Sequence, residues 1–433
     1  MNILFISPNS PKESVGGVER YITNLIHFYR NQPKHKIYTV MPTSGESYIE
    51  KDKNITIYYN HSFSIPRKTK NYQKEISANA REFAGLIEKI IKQSSIDVIC
   101  AENIMFGPPA IYSLMLNMKA SLLKVPLVLR LHMYPASELQ IELVNQLMWN
   151  KISCVSKSVA GDCFQKGSDI NLLSTDYLGV SSEEFNTTPD PSYNLKKELG
   201  LTDENQIVLT AARILRGTTH ILKEKGLINL IQAFSKLAPR FPDLRLVVAV
   251  GQASSDLKND FESAYQMLLG YIRIHHIEDQ VILKMFKLEE MPAVYKGADV
   301  FVLPSEINET FGQVFIEAMN SGVPVIGTKS GGIPEIISDS HNGYLVPIDD
   351  SSILAQRIET LITDKVVRKQ FIENGLETVK EKFTLEKQFT LFTEALEEVT
   401  LGDEPFNVKK KTPNDNHSIN NLRNVVEVDG LVI

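Results

Sequence analysis

The chain has 433 residues, 43% of them hydrophobic and 23% charged, with a net charge of −6; it is too long for one ordinary core and predicts two domains of about 100–200 residues. The acidic balance excludes general nucleic-acid binding, which needs a concentrated basic face. No apolar run approaches the roughly 20 residues that span a bilayer, and the opening MNILFISPNS lacks the basic and apolar regions of a signal peptide, so a cytoplasmic chain is expected.

Strand-like and helical patterns alternate from the first residues. NILFIS is followed by VERYITNLIHFYR with apolar residues at helical spacing, then by HKIYTVMP, ITIYY, REFAGLIEKIIKQ, DVICAE, AIYSLMLNMKASLLK and PLVLRLH. Such alternation, with strands that are almost wholly apolar, predicts βαβ units on a parallel sheet. The pattern breaks in VSSEEFNTTPDPSYNLKKELGLTDENQ, a polar stretch with two prolines that reads as a linker. Alternation resumes with QIVLTAAR, LINLIQAFSKLAPRF, LRLVVAVG, DFESAYQMLLGYIRIH, QVILKMF, DVFVLPS, GQVFIEAMNSG, PVIGT and GYLVP, and helical patterns run from Ser351 to about Val399. These breaks set domains at 1–188 and 206–382, a linker at 189–205, a helix at 383–401 and an aperiodic tail at 402–433 read as disordered. Cys100, Cys154 and Cys163 lie in or beside apolar runs without metal-ligand spacing, which fits buried thiols in a reducing compartment. Arg67, Lys68, Lys70 and Lys74 form a basic loop, read first as a solvated face and second as a weak peripheral contact with the inner membrane face.

In open parallel sheets, ligands sit at the carboxyl ends of strands, where helix N-termini present unpaired amides. Two turns qualify. SPNSPKESVGGVERY places Gly16 and Gly17 at the mouth of a helix, without the spacing of a dinucleotide fingerprint. In FVLPSEINETFGQVFIEAMNSG, a loop carrying Glu309 delivers Phe311, Gly312 and Gln313 as the first amides of a helix that contains Glu317. A diphosphate held there puts Glu317 within reach of the vicinal hydroxyls of a ribose, because an ionised carboxylate offers two acceptor oxygens. Glu309 then lies where a group beyond the phosphates would be. A second unit of the same design, VPVIGTKSGGIPEII, follows at once.

PSEINETFGQVFIEAMNSGVPVIGTKSGGIPEII resembles the signature of retaining glycosyltransferases of the GT-B fold, in particular family 4. The family's paired glutamates fall on Glu309 and Glu317, and its following alanine and glycine-x-proline-valine on Ala318, Gly322, Pro324 and Val325. The resemblance runs over residues 1 to about 400 and implies an α/β architecture of two Rossmann-like parallel-sheet domains facing a central cleft, with a C-terminal helix crossing back to the first. It implies a donor site at Gly16, Gly17, Thr310, Phe311, Gly312, Gln313 and Glu317, with Glu309 on the donor-sugar hydroxyls. His132, ending VLRLH, would lie by the donor sugar, and Arg213 and Lys225 would neutralise the diphosphate. Three departures stand out. The gap from Arg213 to Lys225 is long, so Arg216 or Lys223 competes for the role; the glycine of the base-binding turn is replaced within KMFKLEEMP; and the segment around DFESAYQMLLGYIRIHH is extended.

The expected activity is therefore transfer of a sugar from a nucleoside diphosphate sugar, with UDP favoured over GDP, to a hydroxyl acceptor such as a glycan, a lipid-linked sugar or a small aminocyclitol. No cofactor is expected: no D-x-D occurs in the chain, which fits a metal-independent site. The rival readings are a sugar-nucleotide epimerase or hydrolase of the same fold, a glycosidase using the two glutamates as acid and base, and a non-catalytic scaffold. An epimerase needs no acceptor, a glycosidase needs both carboxylates at one bond, and a scaffold is expected to have lost charged site residues that remain here.

Overall fold

Two parallel sheets organise the chain in the computed structural model, which describes residues 1–13, 16–64, 72–181, 193–213, 220–251 and 258–402. The tail, most of the basic loop and Arg216 lie outside the described residues. Contacts group the chain into one unit of Met1–Ser10, Tyr29–Thr175 and Thr393–Ile433, and another of Pro11–Phe28 and Asp176–Phe392.

The first unit holds β1 (Asn2–Ile6), β2 (Lys36–Pro42), β3 (Tyr48–Asp52), β4 (Ile55–Asn60), β5 (Val98–Glu102), β6 (Leu127–Leu131), β7 (Lys151–Cys154) and β8 (Leu173–Thr175). They pair in the order β3-β4-β2-β1-β5-β6-β7-β8, parallel throughout except that β3 runs antiparallel to β4. Every residue of β5 and β6 is buried, as expected for strands covered on both faces. Strand β3, YIEKD, is exposed along its length and shows no apolar alternation, which is why the sequence pattern passes over it. The hydroxyls of Tyr29 and Thr393 meet at 2.7 Å in this unit.

The second unit holds β9 (Gln206–Arg213), β10 (Leu244–Gly251), β11 (Val281–Met285), β12 (Val300–Leu303), β13 (Val325–Thr328) and β14 (Gly343–Val346), all parallel, in the order β11-β10-β9-β12-β13-β14. Its core joins the strands to helices Leu227–Leu237, Lys258–Ile274 and Ser351–Thr363 through side chains such as Phe234, Leu246, Leu268 and Ile358. The last of these helices starts at Asp350, whose carboxylate accepts from the amides of Ser352 and Ile353. Within this unit Tyr21 and Phe28 pack on Phe389 of helix Leu385–Leu401.

Each sheet reverses its order once. The chain leaves β1 for β2 on one side and returns with β5 on the other; it leaves β9 for β10 and returns with β12. Such reversals open crevices at the carboxyl ends of the flanking strands. Glu102 ends β5, Arg213 ends β9, and the loop carrying Glu309 follows β12.

Candidate active site

In the second unit the loop after β12 is held from two directions. Gly226, in a left-handed conformation with φ 66°, caps helix Leu227–Leu237, and a Cβ there would collide with the carbonyl of Pro304. Only glycine fits so close a backbone approach. The amide of Glu306 donates to the carbonyl of Glu224 at 2.8 Å, so the Lys225-Gly226 turn rides on the start of the loop. From the other side, Thr328 Oγ1 donates to the Ser305 carbonyl at 2.6 Å and Ser330 Oγ to that of Ile307 at 2.8 Å. Gly331 and Gly332 close over Glu309 and Thr310, with the Gly332 amide on the Glu309 carbonyl at 2.7 Å.

This clamp brings together two of the expected residues. Lys225 Nζ lies 2.8 Å from Glu309 Oε2, with the side chains 22% and 18% exposed, and Ser305 Oγ donates to the same oxygen at 3.2 Å. Of the lysines weighed, Lys225 reaches Glu309, whereas Lys223 is exposed to solvent. Arg213 ends β9 next to β10 and β12, but its side chain lies outside the described residues.

The site helix runs over Gln313–Asn320. Gly312, with φ 99°, is its N-cap, and the Phe315 amide donates back to the Gly312 carbonyl. The amides that open a helix have no acceptor within it, so those around the Gly312 cap are the ones an anion would meet. Phe311 is buried, its ring against Tyr177 and Phe383, where it anchors the loop. The Tyr177 phenol is pushed up by burial first and then by the charge of Glu335.

Glu317 lies one turn inside this helix, 5% exposed. Two partners that the sequence did not reveal engage its carboxylate: Arg20 Nη1 reaches Oε1 at 2.7 Å and the Tyr295 hydroxyl donates to Oε2 at 3.0 Å. The arginine stands 297 positions away in the chain, beyond the reach of any local pattern. Gly16 accepts the Arg20 amide at 2.9 Å, so the glycine pair starts the turn that carries this arginine. A Cβ at Gly17 would meet nothing within 4 Å, so packing among the described residues does not demand glycine there.

The first unit holds a separate buried cluster around His132, which is 6% exposed. Its Nε2 lies 2.8 Å from Glu102 Oε2, and its amide donates to Asn103 Oδ1 at 2.8 Å. Asn103 adopts φ 48°, a left-handed conformation that asparagine tolerates better than most residues. Arg130 Nε stands 3.9 Å from the same Glu102 oxygen, and its Nη1 donates to Ser153 Oγ at 2.6 Å. Glu102 and Arg130 are wholly buried. Both were hidden in strand patterns, Arg130 as the one charge in VLRL and Glu102 at the end of VICAE. Among the described residues no group of three or more His, Cys, Asp or Glu is placed to hold a metal ion, and no helix is long and apolar enough to cross a membrane.

Two Rossmann-like units with clamped loops at the carboxyl ends of their parallel strands define a protein with the GT-B glycosyltransferase fold. Solved structures share it: HepE from Anabaena, in complex with UDP and glucose, superposes with a TM-score of 0.70 at 20% identity over 91% of this chain and 99% of its own. Residues 194–378, which lie in the second unit, match the family glycosyl transferases group 1. Among curated proteins, the N-acetyl-alpha-D-glucosaminyl L-malate synthase of Bacillus anthracis is 31% identical over 193 residues, 45% of either chain. The chain thus spans about half the length of that relative. The putative glycosyltransferase YtcC of Bacillus subtilis is 26% identical over 355 residues, covering 78% of this chain and 81% of its own.

Proposed function

We propose that the protein is a retaining, metal-independent glycosyltransferase. It transfers a sugar from a nucleoside diphosphate sugar, UDP-linked before GDP-linked, to a hydroxyl acceptor held by the N-terminal domain: a glycan, a lipid-linked sugar or a small aminocyclitol. The observation that carries this reading is the Lys225–Glu309 pair beside the N-terminus of helix Gln313–Asn320, within the family-matched segment. The UDP bound by HepE supports the choice of base.

Departure of the leaving group builds negative charge on the diphosphate, and fixed positive groups stabilise that charge more in the transition state than in the ground state. Lys225, Arg213 and the amides of Phe311, Gly312 and Gln313 do this work in place of a divalent cation. Lys225 is pre-oriented by Glu309 at 2.8 Å. Glu309 takes the donor-sugar hydroxyls, His132 orients the same ring, and Glu317 takes the ribose. Thr310, Phe311 and Gly312 shape the loop, and Gly16 and Gly17 lie near the transferred group. The buried cysteines fit a cytoplasmic setting, with the basic loop read first as a solvated face and second as a weak peripheral contact with the inner membrane face.

The test is release of nucleoside diphosphate from a panel of UDP- and GDP-sugars, read with and without candidate hydroxyl acceptors. Glu309→Ala and Arg213→Ala proteins should lose turnover while remaining folded. Parent-like rates in both variants would overturn the site assignment, and conversion of the donor to an isomer without acceptor would identify an epimerase.

A further inference from the structure

Glu317 sits in a place where a lone carboxylate is costly. Its side chain is 7% exposed, and an unpaired buried carboxylate is driven towards its neutral form. A neutral carboxyl would bring a donor hydrogen of its own and could not simply accept from two vicinal hydroxyls. Arg20 prevents this: its side chain is 11% exposed and its guanidinium lies on Oε1 at 2.7 Å. The Tyr295 phenol, wholly buried between helix Met291–Lys296 and the site helix, donates to Oε2 at 3.0 Å. Burial first, and the charge of Glu317 second, push its pKa well up, so it stays protonated and remains a donor. Each oxygen of the carboxylate therefore has one fixed protein donor, and the plane of the group is set. An ionised carboxylate offers about four lone-pair sites over its two oxygens, the number that lets one group serve several donors at once.

We propose that Arg20 and Tyr295 are positioning residues for recognition of the ribose diol: they hold Glu317 ionised and oriented so that it accepts from both the 2′ and 3′ hydroxyls. This rests on the reading that Glu317 takes the ribose. It makes the Gly16–Gly17 turn, which bonds the Arg20 amide, a contributor to selection of ribonucleotides over deoxyribonucleotides. Arginine suits the task because its charge is permanent and its planar fork fixes direction, which a lysine ammonium does not.

The experiment is calorimetric titration of the full chain with UDP and with 2′-deoxy-UDP, or with GDP and 2′-deoxy-GDP where guanine binds the parent more tightly. The parent should prefer the ribonucleotide by roughly ten- to a hundredfold, the span of a hydrogen bond to a charged acceptor. In Arg20→Ala and Tyr295→Phe proteins that preference should collapse towards unity, with ribonucleotide binding weakened more than binding of the deoxyribonucleotide, which has only the 3′ hydroxyl to lose. Arg20→Lys should recover part of it. Equal weakening of both ligands would show a merely structural role, and tighter ribonucleotide binding would show that Arg20 competes for the carboxylate; either overturns the proposal. A parent that binds ribo- and deoxyribonucleotides equally would instead refute the ribose role of Glu317, and a parent that binds neither would refute the proposed function itself.

Discussion

Replacing Gly331 by alanine should cost this protein turnover as well as stability. Gly331 adopts φ 55°, and a Cβ there would strike the Glu309 carbonyl oxygen and stand 2.6 Å from the Glu309 nitrogen and 2.9 Å from the Asn308 carbonyl carbon. All three are backbone atoms, so no rotamer relieves the clash. The left-handed conformation alone costs a residue with a Cβ about 1–2 kcal/mol, which at about 2–4 °C per kcal/mol for a domain of this size lowers the melting temperature by roughly 2–8 °C. The loop must also move away, straining the 2.7 Å bond from the Gly332 amide to Glu309 and drawing the carboxylate from Lys225. A displacement of about 1 Å at a reacting geometry costs on the order of 10²-fold in rate. The assay is nucleoside diphosphate release from the donor sugar, run beside thermal unfolding. Gly85→Ala is the control, because Gly85 lies inside helix Tyr72–Ser94 with nothing within 4 Å of its Cβ position; it should stabilise by about 0.5–1 kcal/mol without touching turnover. Parent-like turnover in the Gly331 variant would refute the claim that the glycine pair sets the position of Glu309.

Glu102→Gln should destabilise the first unit by about 3–5 kcal/mol, since it removes a buried carboxylate charge that faces wholly buried Arg130; an unchanged urea midpoint would refute this. The phenols give an alkaline limit. Burial raises Tyr112 from 10.0 to about 12, with its hydroxyl on the Ser62 carbonyl at 2.7 Å. A folded pKa above the unfolded one means that the contribution is complete below pH 10 and fades as pH rises through about 12. Unfolding free energy should therefore fall between those values, less steeply in Tyr112→Phe, and an identical slope in that variant would count against it.

The parallel-sheet architecture was legible because buried parallel strands are nearly continuous apolar runs, and the glycine-rich loops between them announce their positions. Glu309 and Glu317 were legible for the opposite reason, as charges inside an apolar setting. What the sequence hid was partnership. Arg20 and Tyr295 meet Glu317 across 297 and 22 positions, and Glu102 meets His132 across 30. No helical or strand period links residues so spaced; the topology does. The left-handed cap at Gly312 was also hidden, as was the inward turn of Phe311 to Tyr177 and Phe383.

The central claim, that the second unit binds a nucleoside diphosphate through its own side chains and amides, is tested most directly by thermal unfolding of the full chain with UDP, GDP or ADP in excess EDTA. A ligand at a hundred times its dissociation constant stabilises by about 2.7 kcal/mol. One nucleoside diphosphate should raise the transition of the parent in EDTA, and Glu317→Ala should abolish the rise. No rise with any nucleotide, or one that appears only when a divalent cation is restored, would contradict it.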